Sequence, residues 1–121
     1  MVIPTFHYDD AKAAIAFLEK AFGFGRHAVY EGDDGRVEHA ELKAPGGWIM
    51  LGSRRSDSPY DTGAQSVYIV VEDVDAHCER ARAAGADVFR EPVDQDYGGR
   101  DYSCRDPEGN VWSFGTYAPK E

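Results

Sequence analysis

The sequence predicts an α+β fold built from two tandem βαβββ modules, and three observations carry the prediction. Two segments place apolar residues at helical spacing, and each follows one strand-like run and precedes three more. The second half repeats the first at an offset of 63, so that Asp10 falls on Asp73, Gly46 on Gly109 and Leu51-Gly52-Ser53 on Phe114-Gly115-Thr116. Turn residues recur at matching places, although Pro45-Gly46-Gly47 is one residue shorter than Pro107-Glu108-Gly109-Asn110.

Taken in order, Val2 to Phe6 is a short apolar run whose Pro4 suits an edge strand or a strand start. Asp9 and Asp10 offer oxygens to cap a helix. Ala11, Ile15, Leu18 and Phe22 then share one helical face, and Gly23 and Gly25 stop the helix. Arg26 to Glu31 reads as a strand, Gly32 to Gly35 as a turn, and Val37 to Lys43 as a second strand. After the Pro45 turn, Trp48 to Leu51 closes a hairpin. Residues 53 to 65, SRRSDSPYDTGAQ, are polar and turn-rich and form the linker between module 1 (about 1–55) and module 2 (about 64–121) of a single domain. The order then restarts. Ser66 to Val71 is a β-branched strand, and Asp73 caps a helix with Val74, Cys78, Ala81 and Ala84 on one face. Gly85 ends that helix, and Val88 to Arg90 is a short strand. A polar loop, EPVDQDYGG, leads to strands over Arg100 to Arg105 and Val111 to Thr116. Neither module of about 60 residues is expected to bury enough surface to fold alone.

Composition narrows the function. The 121 residues are 42% hydrophobic and 12% aromatic, which argues against a disordered chain. The net charge of −9 argues against a general nucleic-acid binder, which needs a basic stripe, and against attachment to an anionic membrane. No apolar stretch approaches a membrane span and no basic leader is visible, so the expected location is the cytoplasm. Cys78 and Cys104 are too few for a disulfide framework, lack CxxC spacing, and read as buried thiols. The acidity is uneven: residues 1–62 carry 7 basic and 10 acidic groups, residues 63–121 carry 6 and 12.

The D-P-E-G-N turn before the last strand, the opening that ends in AFGF, and the run QSVYIVVEDVDAHCERARAAGA together resemble the glyoxalase/bleomycin-resistance/dioxygenase superfamily, the vicinal oxygen chelate proteins. The resemblance covers nearly the whole chain. It implies a cupped eight-stranded sheet with the helices on its outer face, a ligand inside the cup, and a homodimer in which modules pair within or between chains. It also implies four metal-ligand positions, His or Glu in the metal-dependent enzymes, which fall here on Ile3, Met50, Ser66 and Ser113. Isoleucine has no donor atom, a thioether suits hard or borderline divalent metals poorly, and neutral hydroxyls are weak ligands. Shifting the alignment by one residue brings up Val2, Pro4, Ile49, Leu51, Gln65, Val67, Trp112 and Phe114, none of them a His or a carboxylate. The resemblance is therefore closest to the metal-free, bleomycin-resistance-like branch, with no metal and no cofactor expected.

Strand alternation sorts side chains between the two faces of each sheet. With Met50, Ser66 and Ser113 in the cup, the candidate lining is Thr5, His39, Glu41, Trp48, Met50, Ser66, Tyr68, Asp101, Ser103, Arg105 and Ser113, with Val37 and Val70 in the same phase. Val67, Ile69, Val71, Trp112 and Phe114 then face the helices. Trp48 and Tyr68 suit stacking on a flat ligand, and Glu41 or Asp101 suits a cation. His39 and Glu41 share a face as a metal-ligand or acid/base pair, or form a polar wall or an ion pair with Arg105 or Lys43. His7 and His77, near the helix starts, read as surface residues. Loop 94–99 either lids the cup or is a plain connection.

The leading expectation is a non-enzymatic protein that binds and sequesters a small aromatic or cationic molecule, such as an antibiotic or other secondary metabolite. The alternative is a glyoxalase- or dioxygenase-type metal-dependent enzyme, a lyase or oxidoreductase, with a relocated site around His39, Glu41 and Asp101. A third reading is an interaction module whose cup holds no small ligand.

Overall fold

The computed structural model describes residues 1–120; Glu121, the end of module 2 as read from the sequence, lies outside the described residues. The elements run β1 (Thr5–Tyr8), α1 (Ala11–Phe22), β2 (Gly25–Glu31), β3 (Val37–Ala44), β4 (Gly47–Ser53), β5 (Ser66–Val70), α2 (Val74–Ala83), β6 (Asp87–Asp94), β7 (Arg100–Arg105) and β8 (Val111–Gly115). This is βαβββ twice. The eight strands form two four-stranded sheets, ordered β1-β4-β3-β2 and β5-β8-β7-β6. In each, the first strand lies parallel to the last and the remaining pairings are antiparallel.

Both helices form where the sequence supplies a stripe and a cap. Asp10 accepts from Ala13 N and Asp73 from Ala76 N, each at 3.0 Å. Gly23 ends α1 at φ +75°, a left-handed conformation that side chains resist. The last carbonyls of α1 are met from module 2, where Arg80 donates to Lys20 O and Glu19 O. Ile15, Leu18 and Phe22 of α1 and Val74, Cys78 and Ala81 of α2 are buried, each large aliphatic contributing about 1.5–3 kcal/mol. The buried side chains make one cluster across both modules. Phe6 stacks on Trp112 at 4.9 Å between ring centres, and Phe22 packs on Phe114 at 4.8 Å.

Several boundaries differ from the sequence reading. β1 begins at Thr5 because Pro4 has no N–H for the ladder, although its carbonyl still accepts from Met50 N. β6 runs on through Glu91-Pro92-Val93-Asp94, which reads as loop in sequence. It is an edge strand, and register shifts on both sides of Arg90 absorb the proline. Val37 does not face the cup: it is fully buried in the core beside the register shift at Tyr30/Glu31. No helix among the described residues is long and apolar enough to cross a membrane.

Candidate functional site

The register lays out the two faces turned away from the helices. On module 1, Thr5 pairs with Met50, Met50 with Glu41, and Glu41 with Ala28, so these four lie in one row across the sheet. Trp48 pairs with Lys43 in an adjacent row, and His39 with Tyr30 on the other side. His39 Nε2 is 2.9 Å from Glu41 Oε2, so Glu41 is paired by histidine and not by Arg105 or Lys43. His27, absent from the sequence reading, reaches the same carboxylate at 3.9 Å. A bulge between Arg26 and Ala28 brings it there, and strict alternation does not foresee a bulge. His27 also packs edge-on against Trp48 at 5.1 Å, while the Lys43 ammonium lies 5.0 Å from the Trp48 ring centre.

Module 2 has the corresponding rows Ser66–Val111–Arg105, Tyr68–Ser113–Ser103–Arg90 and Val70–Gly115–Asp101–Val93. Its polar groups are spent on one another. Asp101 is buried and forms an ion pair with Arg90 at 2.7 Å, while Gln95 and the Tyr97 hydroxyl also donate to it. Asp101 is therefore already neutralised and is not an open acceptor for a ligand cation. Ser103 and Ser113 share a hydrogen bond at 2.7 Å, and Arg90 donates to Ser103. Arg105 pairs with Asp87 and lies over Phe89, away from Glu41. Tyr68 donates to Tyr117 O, and burial followed by the Asp101 charge raises its phenol above the ordinary value. Gly115 makes this arrangement possible, because a Cβ there would fall 2.5 Å from the Tyr68 hydroxyl and 2.7 Å from Asp101 Cβ.

Two cavities adjoin these faces, and Trp48 belongs to both. An open groove of about 840 Å³ runs along the seam between modules, with Trp48, Ile49 and Pro4 on one side, Tyr68, Ile69 and Val71 on the other, and Glu72 as its charged residue. A smaller one of about 210 Å³ sits on the module 1 face among Met1, Ile3, His27, Glu41, Trp48 and Met50. The structure thus brings Trp48 and Tyr68 to one groove, and Glu41 and Met50 to the small cavity beside it. Ser66, Asp101, Ser103, Arg105 and Ser113 line neither. His39 reaches the small cavity through Glu41, whereas Asp101 lies on the other module, so the three do not form one relocated site.

The four positions implied for a catalytic metal do not fit one. Ile3 and Met50 lie by the small cavity, Ser66 is exposed, and the Ser113 hydroxyl is bonded to Ser103. None supplies the imidazole or carboxylate that a divalent catalytic metal requires. Among the described residues, no group of three or more His, Cys, Asp and Glu side chains is arranged to hold a metal.

Two polar clusters support the site from behind. In the D-P-E-G-N turn, buried Asp106 accepts from the Tyr8 hydroxyl at 2.6 Å, from Trp112 Nε1 at 3.0 Å, and from the Glu108 and Asn110 amides. Glu108 accepts from Asp9 N at 2.6 Å and Asp10 N at 2.9 Å, which ties the start of α1 to the end of the chain. Burial, the Asp106 charge and their hydrogen bond push the Tyr8 phenol far up. His77 is not a surface residue. Its Nδ1 lies 2.6 Å from the Tyr102 hydroxyl, its ring sits 4.0 Å from Phe114, and burial with nearby Arg80 lowers it to about 4. The signal was present in the sequence, since 74, 77, 78 and 81 form one helical stripe. Cys78 and Cys104 are free and buried, and burial raises the Cys104 thiol to about 12.

Comparison with known proteins gives a consistent family. A model described as Glyoxalase/Bleomycin resistance protein/Dioxygenase superfamily matches residues 5–114. The protein Rv0887c of Mycobacterium tuberculosis is 36% identical over 124 aligned positions, covering 93% of this chain and 71% of that one. Putative glyoxylase CFP32 of Mycobacterium tuberculosis is 33% identical over 115, covering 93% of this chain but 42% of its own length. Among solved structures, TioX from Micromonospora sp. ML1 superposes with a TM-score of 0.82 at 32% identity, covering 97% and 98% of the two chains.

Proposed function

The chain belongs to the glyoxalase/bleomycin-resistance/dioxygenase superfamily, and on that premise we propose that it is a metal-independent binding protein of the bleomycin-resistance type. It sequesters a small aromatic or cationic molecule, of the antibiotic or secondary-metabolite class, and makes or breaks no bond. The observation that carries this reading is the groove of about 840 Å³ with Trp48 on one wall, Tyr68 on the other and the Glu72 carboxylate beside them. That volume lies within the roughly 300–1,000 Å³ typical of small-molecule sites. Aromatic walls and one carboxylate favour a flat molecule bearing an amine. The donor-poor set Ile3, Met50, Ser66 and Ser113 supports the metal-independent branch.

Titration with a planar cationic acridine tests the reading. Binding quenches tryptophan fluorescence, and Trp48→Ala removes most of the change because Trp112, the other tryptophan, is buried behind the sheet. No quenching at millimolar dye, or quenching unaffected in W48A, overturns it. Stoichiometric zinc, nickel, iron or manganese in untreated protein overturns the metal-independent part.

We also propose a homodimer. Outside the groove, edge strand β6 leaves Phe89 45% and Val93 43% exposed, an apolar surface suited to a second copy. Light scattering at twice the 13.4 kDa chain mass is the expected result, and a monomer at micromolar concentration refutes it.

The His39–Glu41 pair favours the second reading, a metal-dependent enzyme of glyoxalase or dioxygenase type using the module 1 face. It requires that an added divalent metal raise the melting temperature and that His39→Ala abolish the rise.

A further inference from the structure

A β-sheet ends at edge strands whose outward N–H and C=O groups have no neighbouring strand. The two sheets have four edges, β1, β2, β5 and β6, and three of them are blunted. β2 carries two register shifts, and β6 carries two more together with Pro92. On β1 the outward carbonyls of Thr5 and His7 accept from the Gln65 and Arg54 side chains. β5 has no such device: it pairs with β8 without a register shift and contains no proline.

The ladder shows which groups of β5 are free. In a parallel pair, alternate residues of a strand turn their main-chain groups to the same neighbour. Val111 N donates to Gln65 O and Val71 N to Gly115 O, each at 2.8 Å, so the odd-numbered residues 65 to 71 turn toward β8. Tyr68 and Val70 turn the other way, and no main-chain hydrogen bond from either is found among the described residues. The seam groove meets β5 at that edge. It is lined by every residue from Val67 to Glu72, whereas a cavity over one face of a strand meets alternate residues only. Trp48 on the opposite wall is in a similar state. Met50 N donates to Pro4 O, and the next rung, from residue 4 to Trp48 O, is missing because proline has no N–H. Val2 borders the groove but is 92% exposed and leaves β5 uncovered.

We propose that β5 is a docking edge, on which an extended, basic segment of another polypeptide lies as a fifth strand of the module 2 sheet, bonded to the main chain of Tyr68 and Val70. Unpaired main-chain donors and acceptors in alternation select a partner with repeating amides of its own. Its charge follows from Glu72, the one charged residue among those lining the groove, and from the net charge of −9. The apolar surface at Phe89 and Val93, suited to a second copy, lies on the opposite edge of the same sheet and leaves β5 to a different partner. Such a partner needs no aromatic group, so the inference goes beyond the small-ligand reading and does not rest on it.

Amide hydrogen exchange followed by NMR reads the edge residue by residue. In the free protein Tyr68 and Val70 exchange fast, while Ile69 and Val71 are protected by β8. A capped pentapeptide of alternating lysine and valine, at about ten times its Kd, slows Tyr68 and Val70 about tenfold and leaves Ile69 unchanged. N-methylation of one alternate set of peptide amides abolishes binding, and methylation of the other set preserves it. Glu72→Gln weakens binding about 2- to 5-fold. Val70→Pro removes an N–H that faces the groove without cutting a rung to β8, and weakens binding about 2- to 10-fold. No slowing at millimolar peptide, equal binding of the two methylated peptides, or equal affinity in V70P overturns the proposal. So does protection of Tyr68 and Val70 in the free protein, which places a second copy on the edge. The probe has no aromatic ring, so its failure leaves the acridine result standing, and the reverse holds too.

Discussion

The two modules share one topology but treat the turn before their last strand differently. In module 2, Asp106 precedes Pro107 and anchors a buried hydrogen-bond hub that reaches Tyr8 and Trp112. In module 1, Ala44 precedes Pro45, and the Pro-Gly-Gly turn carries no polar side chain. Around that bare turn lies the large groove, lined by Pro45, Gly46 and Gly47 on one side and by Val71 and Glu72 on the other. At the matching place in module 2, Glu108 fills the space against Asp9 and Asp10. The faces differ in the same sense. Module 2 closes its carboxylate with Arg90, Gln95 and Tyr97, whereas module 1 leaves Trp48, His27 and Glu41 half-open. The difference teaches that one half of a duplicated fold can supply the rigidity while the other keeps the space.

The strongest way to break this contrast is Asp106→Ala, which gives module 2 the residue of module 1. Tyr8 and Trp112 then lose a buried acceptor, and chemical denaturation is expected to show a loss of about 3–5 kcal/mol. A loss below about 1 kcal/mol would mean that the hub is not what separates the modules.

Next comes His77, a half-buried base found behind module 2. Its folded value of about 4 lies below the ordinary 6.5, so between those pH values the unfolded chain binds more protons. Stability therefore rises with pH from about 4 to 6.5 and is flat above, as far as this group is concerned, by on the order of 3 kcal/mol. His77→Gln should flatten that part of the melting-temperature profile relative to wild type. Parallel profiles would place the imidazole in water.

Smaller still, Glu108→Ala removes the side-chain carboxylate that accepts from the Asp9 and Asp10 amides just before α1 and should cost about 1–2 kcal/mol, read as a lower denaturation midpoint at unchanged slope. Trp48→Ala, on the open side of the comparison, should cost under about 1 kcal/mol yet remove most of the dye response. A large destabilisation from W48A would show that Trp48 is a packing residue and not a ligand surface.

The face assignments were legible in sequence because their signal is local. Ile49, Leu51, Val67, Ile69, Trp112 and Phe114 alternate with Met50, Tyr68 and Ser113, and the register follows that phase. The misses arise where alternation breaks or where a partner is distant. Bulges carried His27 onto the site and extended β6 through Pro92, while Val37 left the expected face for the core. The ion pair that neutralises Asp101 begins at Arg90, where the sequence predicts the end of a short strand. The pairing of His77 with Tyr102 spans 25 residues and that of Tyr8 with Asp106 spans 98, separations at which spacing carries no information.

The bond from Glu108 to Asp9 and Asp10 also bears on how the chain is made. The first helix leaves the ribosome early, but the carboxylate that accepts from the two amides just before it is synthesised almost a hundred residues later. Until then the apolar stripe of α1 has neither Trp112 nor Phe114 to cover it. Folding therefore waits for the last hairpin, a high contact-order event of the kind that sets slow rates. A stalled nascent chain ending before Asp106 is the form of this protein most in need of a chaperone.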